Sequence, residues 1–148
     1  MTDLVVRWKK LHPHASLPTY GTEGASAVDL RHIEEKHMIR PGETYIVKTG
    51  LACEIPQGWG GFILPRSGLG VKHGLVVGNL VGLIDSDYRG EVMVCLWNRH
   101  PTQEYTIEPG ERIAQMVFLQ TPKLQMVMAE ELSDTARGEG GWGSTGKV

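Results

Sequence analysis

Cysteine is scarce: Cys53 and Cys95 are the only two in 148 residues. Each sits in an apolar stretch and they form no CxxC pair. Two buried, reduced thiols are the plain reading, which excludes a disulfide framework and a thiolate metal site. The six histidines are scattered, and none forms the HExxH pair that would hold zinc. The pattern GxxxxGK[ST] is missing, which excludes P-loop phosphate chemistry. No apolar run approaches the roughly 20 residues of a membrane span, and the first ten residues lack the basic-then-apolar order of a signal peptide. A reducing, aqueous compartment, the cytoplasm, is the expected location. Surplus positive charge is lacking too. A net charge of −2 argues against a protein that grips nucleic acid by bulk electrostatics. Any phosphate must be held by a few placed groups.

What is present is an ordinary globular balance, 41% hydrophobic and 22% charged, in a chain of single-domain length. Nineteen glycines and eight prolines cut it into short pieces. Apolar and β-branched runs lie between them: Leu4 to Trp8, Tyr45 to Ile55, Phe62 to Leu64, Leu75 to Val77, Glu91 to Trp97, Ile113 to Leu119 and Leu124 to Met128. Pro41-Gly42, Pro56-Gln57-Gly58 and Pro109-Gly110 punctuate them. Many short strands between regular turns predict an all-β sandwich or barrel rather than βαβ units. One short helix is predicted over Ser67 to His73, with Ser67 as its cap and Gly74 as its end. Residues 1–135 read as the β-domain. Residues 136–148 carry five glycines and nothing to build a core, the composition of a flexible arm. An Arg137 and a Trp142 set in that glycine suit a segment that orders over a ligand better than a solvated tail.

Three constellations carry chemistry. Pro65-Arg66-Ser67-Gly68-Leu69-Gly70 offers a guanidinium fork, a hydroxyl and backbone N–H groups at a helix start, the parts of an anion site. The same residues are also good turn formers. Gly82-Leu83-Ile84-Asp85 leads into a hairpin tip at Ser86 to Gly90. Asp85 follows apolar residues, is expected against the core, and is the carboxylate suited to orienting and deprotonating a water. Asp87 more plainly satisfies turn backbone groups. In the arm, Arg137 can pair with phosphate oxygens and Trp142 can stack on a flat ring. Phosphate donors, a held carboxylate and an aromatic lid in a β-domain point to a nucleotide site, without naming the base.

The chain resembles the trimeric all-β dUTPases, bacterial type, over almost its whole length. Five motifs stand in order: Ala25 to Leu30, Pro65 to Gly70, Asn79 to Glu91, Gly110-Glu111-Arg112-Ile113-Ala114-Gln115, and Arg137 to Gly146. Ala27 stands where the family pattern carries glycine, and Trp142 where it carries phenylalanine. The resemblance implies a jelly-roll-like β-barrel, a homotrimer with sites shared between chains, and hydrolysis of dUTP to dUMP and pyrophosphate. Backbone groups of Gly82, Leu83 and Ile84 would hold uracil with Asn79, while Tyr88 would pack on the sugar and Met93 line the pocket. Asp85 would be the catalytic base. Arg66, Ser67, Gly68 and Gln115 would bind the phosphate chain. Arg137, Gly143 and Ser144, with Trp142 as the lid, would close over it. Asp29 would touch the water shell of Mg2+ rather than ligate the ion. The rival readings are a dCTP deaminase of the same fold and an idle regulatory module that keeps the fold.

Overall fold

Runs this short cannot bury an apolar face alone, so they pair into sheets. The computed structural model describes residues 4–146. Its strands are β1 (Arg7–Lys10), β2 (Val28–Arg31), β3 (His37–Ile39), β4 (Thr44–Glu54) and β5 (Trp59–Leu64), followed by helix α1 (Ser67–His73). Then come β6 (Leu75–Val77), β7 (Gly82–Ile84), β8 (Glu91–Asn98), β9 (Tyr105–Ile107) and β10 (Arg112–Gln120). Two four-stranded antiparallel sheets form, ordered β1-β4-β8-β6 and β2-β10-β5-β7, with β3 and β9 as a separate pair. In β8, Val92, Val94 and Leu96 point inward while Met93 is exposed. They meet Val28, Leu30, Ile63, Ile113 and Met116 of the other sheet in one core. The all-β class expected from the turn spacing is what the chain adopts.

Two irregularities aim the functional residues. Along β4 the register with β8 runs Lys48↔Met93, then Ala52↔Glu91, so β4 holds extra residues there. Gly50 makes the bend at φ +66, where a Cβ would meet His12 Cβ and Ile33 Cδ1 at 2.8 Å. Its N–H donates to Glu91 Oε1 at 2.8 Å, which fixes the root of the hairpin before β8. The second is in β10, where Arg112↔Arg31 is followed by Ala114↔Leu30. Ile113 is an extra residue, a β-bulge of the kind that re-aims side chains beside functional sites.

Two expectations change. The cap of α1 is Arg66, in extended conformation with no side-chain cap bond, and Ser67 is the first helical residue. Gly74 ends the helix as expected, left-handed at φ 70, its N–H on Leu69 O. Leu124 to Met128 forms no strand, and Met126 and Met128 are 84% and 97% exposed. No strand of the described residues lies beside it to pair with, so its apolar pattern has no partner within one chain. Strands end at Gln120. Both cysteines are free, and burial pushes the Cys53 thiol up to about 11 against the smaller pull of Arg89, as fits an inert core thiol.

Candidate active site

Antiparallel pairing puts facing residues of adjacent strands on the same side of a sheet. Gln115 faces Asp29 on β2 and Leu64 on β5. Their outward side, with the start of α1, makes a cleft of about 280 Å³ lined by Asp29, Arg66, Ser67, Gly68, Arg112 and Gln115. The side chain of Asp29 is 14% exposed and lies between two guanidinium groups. Its Oδ1 is 3.5 Å from Arg66 Nε and its Oδ2 is 3.2 Å from Arg112 Nη1. Arg66 Nη1 donates to the Arg112 carbonyl at 3.0 Å, and Gln115 Nε2 donates to Pro65 O at 2.9 Å. Two cations against one carboxylate leave an excess positive charge, and the exposed Ser67 and Gly68 add a hydroxyl and backbone donors. The cleft is built for an anion.

A second pocket, about 230 Å³, is lined by Asn79, Gly82, Leu83, Ile84 and Met93, with Cys95 and Ile46 behind. Gly82, Leu83 and Ile84 form β7, the edge of its sheet. An edge strand leaves a row of N–H and C=O groups unpaired on its free side. Gly82 lets β7 close on β5, since a Cβ there would sit 3.0 Å from Ile63 Cβ. Leu80 turns the chain into this strand at φ 67, a conformation that costs a non-glycine residue energy and concentrates at functional sites. Beyond β7, Tyr88 folds back over its own turn and donates its hydroxyl to Glu91 O at 3.0 Å. Gly90 makes room for that ring, because a Cβ would come within 2.6 Å of Tyr88 Cζ.

Asp85 sits just past β7 and is exposed rather than set against the core. The reason is alternation: in β7 Gly82 faces inward, Leu83 is 56% exposed, and Asp85 shares the outward side of Leu83. It lines a cleft of about 720 Å³ with Gly60, Trp59, Ser86, Asp87, Arg89 and Lys123. Because Ile84 pairs with Gly61, Asp85 falls beside Gly60. Strand rise alone carries Leu64 about 13 Å from Gly60, and Arg66 lies two residues further on. The second pocket and Asp85 therefore adjoin, while the anion cleft of the same chain is at the far end of β5. The arm joins neither. Every hydrogen bond recorded for residues 135–146 closes within three positions, including Arg137 Nε to Gly140 O at 2.8 Å. Trp142 is fully exposed, and Gly143 and Ser144 lie in turns beside it.

The dUTPase family profile matches residues 13–146. The chain belongs to the dUTPase family. A deoxyuridine 5'-triphosphate nucleotidohydrolase of Idiomarina loihiensis is 53% identical over 133 residues, which cover 88% of this chain and 87% of that protein. A protein of the same name from Acinetobacter baumannii is 53% identical over 133 residues, 88% of each chain. Among solved structures, the Staphylococcus bacteriophage 80alpha dUTPase G164S mutant with dUpNHpp superposes with a TM-score of 0.88 at 28% identity. The match covers 96% of this chain and 98% of that one.

For a member of the dUTPase family the donor set says how a cation would be carried. No group of three or more His, Cys, Asp or Glu among the described residues can hold a metal. Asp29 has each oxygen beside a guanidinium, yet a carboxylate has about four acceptor positions and retains some for a metal's water. This suits an ion borne by a phosphate chain, not by a protein cage. Within the dUTPase motifs, Arg112 received no role from the sequence. The signal was there: adjacent buried Ile113 and Ala114 break the alternation of β10. That break puts Arg112 and Gln115, three apart, on one side of the sheet.

Proposed function

We propose that this chain hydrolyses dUTP to dUMP and pyrophosphate, limiting uracil incorporation into DNA and supplying dUMP for dTMP synthesis. One observation carries the reading: the Asp85 carboxylate stands at the end of an edge strand whose free backbone groups line a base-sized pocket. Relatives at 53% identity that bear the name of this activity support it. Uracil pairs with the backbone N–H and C=O groups that the stretch Gly82, Leu83 and Ile84 turns to its free side, with Asn79 assisting and Met93 lining the wall. Cytosine presents a donor where an acceptor is needed, and buried unpaired groups cost about 1–3 kcal/mol each. Tyr88 covers the sugar and leaves no space for a ribose 2′-hydroxyl.

Asp85 orients a water and takes its proton as the water attacks the α-phosphorus in line with the departing pyrophosphate. Such catalysis is mostly positioning and neutralisation of spreading negative charge. Arg66, Ser67, Gly68 and Gln115 grip the phosphate chain. Because these groups lie too far from Asp85 of their own chain, a second copy supplies them. A third copy contributes the arm (residues 136–148 beyond the β-domain of 1–135), whose Arg137, Gly143 and Ser144 clamp the outer phosphates under Trp142. A homotrimer with shared sites follows. Bound with the substrate, Mg2+ would supply further charge neutralisation on the phosphates, and Asp29 would accept hydrogen bonds from its water shell. No described helix is long and apolar enough to cross a membrane, and two free thiols suit the cytoplasm.

The test is pyrophosphate release from a nucleotide panel with and without magnesium. dUTP is expected to be cleaved and dTTP, dCTP and UTP spared; ammonia from dCTP would instead mark a deaminase. Excess chelator is expected to lower the rate about tenfold or more with thermal stability unchanged, since no protein cage is emptied. Undiminished activity in chelator removes the metal from the reaction. Gly90→Ala is expected to push the Tyr88 ring aside, raise KM for dUTP about tenfold and narrow the gap between dUTP and UTP. An unchanged ratio of kcat/KM for the two substrates removes Tyr88 as the sugar gate.

A further inference from the structure

We propose that Arg112 is a positioning residue of the anion cleft, acting on Arg66 through Asp29. The inference deepens the dUTP reading and rests on it only for the identity of the anion; the geometry lies within one chain. Three contacts close a ring. Arg66 Nη1 donates to the Arg112 carbonyl at 3.0 Å. Arg112 Nη1 donates to Asp29 Oδ2 at 3.2 Å. Asp29 Oδ1 stands 3.5 Å from Arg66 Nε. A guanidinium has five N–H donors in a rigid fork. Ion-paired at Nε and hydrogen-bonded through one Nη1 hydrogen, Arg66 keeps its other three donors for a ligand.

The ring exists because of the bulge. In a regular strand, residues three apart point to opposite sides. The extra residue at Ile113 returns Arg112 to the side of Asp29 and Gln115. Exposure follows the division of labour. Asp29, the hub, is 14% exposed, Arg66 is 28% exposed, and Arg112 is 43% exposed at the rim. Without the Arg112 side chain, Asp29 has only Arg66 to answer, and its charge draws the Arg66 fork away from the cleft. The contact from Arg66 to the Arg112 carbonyl is main-chain and survives any substitution there. Replacing Arg112 therefore removes its contact with Asp29 and its own charge at the cleft rim, and the double variant with Asp29 separates the two.

The test uses the full chain and inorganic pyrophosphate as the probe, titrated calorimetrically with divalent metal chelated, so that no metal-water contact of Asp29 contributes. Wild type, Arg112→Met, Asp29→Asn and the double variant are compared, with melting temperature as the control for folding. Each single change is expected to weaken pyrophosphate binding about tenfold. The double variant is expected to lose no more than about threefold beyond either, because one route cannot be cut twice. Arg112→Lys, which keeps a charge beside Asp29, is expected to recover most of the loss at an unchanged melting temperature. Losses that multiply to about a hundredfold in the double variant overturn the proposal, as does unweakened binding in Arg112→Met or failure of lysine to rescue. dUTP turnover by the wild type reads the other question separately. If pyrophosphate binding shows the coupling but dUTP is not cleaved, the proposed function falls and this assignment stands.

Discussion

Asp85→Asn is expected to leave the fold and nucleotide binding intact while lowering kcat by about two to four orders of magnitude. The size follows from what the change removes. Asparagine keeps the shape and can still accept a hydrogen bond from water, but it cannot take the proton as the oxygen attacks phosphorus. Losing a general base costs about 3–5 kcal/mol of transition-state stabilisation, and none of that is spent in the ground state. KM for dUTP should therefore barely move while kcat and kcat/KM fall together. Stability is spared for a structural reason. The backbone carbonyl of Asp85 accepts the Tyr88 N–H at 3.2 Å, and asparagine retains that carbonyl. Among the described residues no hydrogen bond engages the Asp85 carboxylate. Asp87→Asn, two positions on in the same turn, is the control and should change kcat less than about threefold. Steady-state kinetics with an unchanged melting temperature checks both. An Asp85→Asn enzyme within about tenfold of wild type would remove the carboxylate from the chemistry.

How much of this was legible in the sequence depends on which physical rule governed each residue. Leu75 to Val77 and Glu91 to Trp97 read correctly because alternation and flanking turns act locally. Strands β2, β3 and β9 were missed, for Val28–Arg31, His37–Ile39 and Tyr105–Ile107 are short and interrupted by polar residues, and only their partners make them strands. Gly74 was legible as the helix end because a left-handed position selects glycine. Arg66 as the cap was not, since its side chain is committed elsewhere, to Arg112 and Asp29. Asp85 was expected inward from its apolar neighbours, but an edge strand has a solvent side, and β7 turns Leu83 and Asp85 toward it. The motif residues of the anion cleft came together because Asp29, Gln115 and Leu64 share a register. That register is long-range information, and no local pattern encodes it.

Removing residues 136–148 is expected to leave the β-domain folded at an unchanged melting temperature and to reduce kcat/KM for dUTP by about two to four orders of magnitude. The first half rests on contacts. Hydrogen bonds in the described arm run only between its own neighbours, and the Trp142 side chain covers nothing. Truncation therefore exposes no core. The second half rests on what the arm brings to a ligand. A charge-assisted contact from Arg137 to phosphate is worth about 1.5–3 kcal/mol, and stacking of an indole on a base about 1–3 kcal/mol. The entropy of ordering a glycine-rich segment offsets part of this gain. Gly138, Gly143 and Gly146 already occupy left-handed turns at φ 54, 74 and 75, where other residues would be strained. Glycine in these places lets backbone amides approach a phosphate, and it also makes the arm costly to order, so closure is reversible and product can leave. Sedimentation of the truncated chain separates this role from assembly. An intact oligomer that has lost activity supports a catalytic lid, whereas dissociation into single chains would make the arm a structural strap instead.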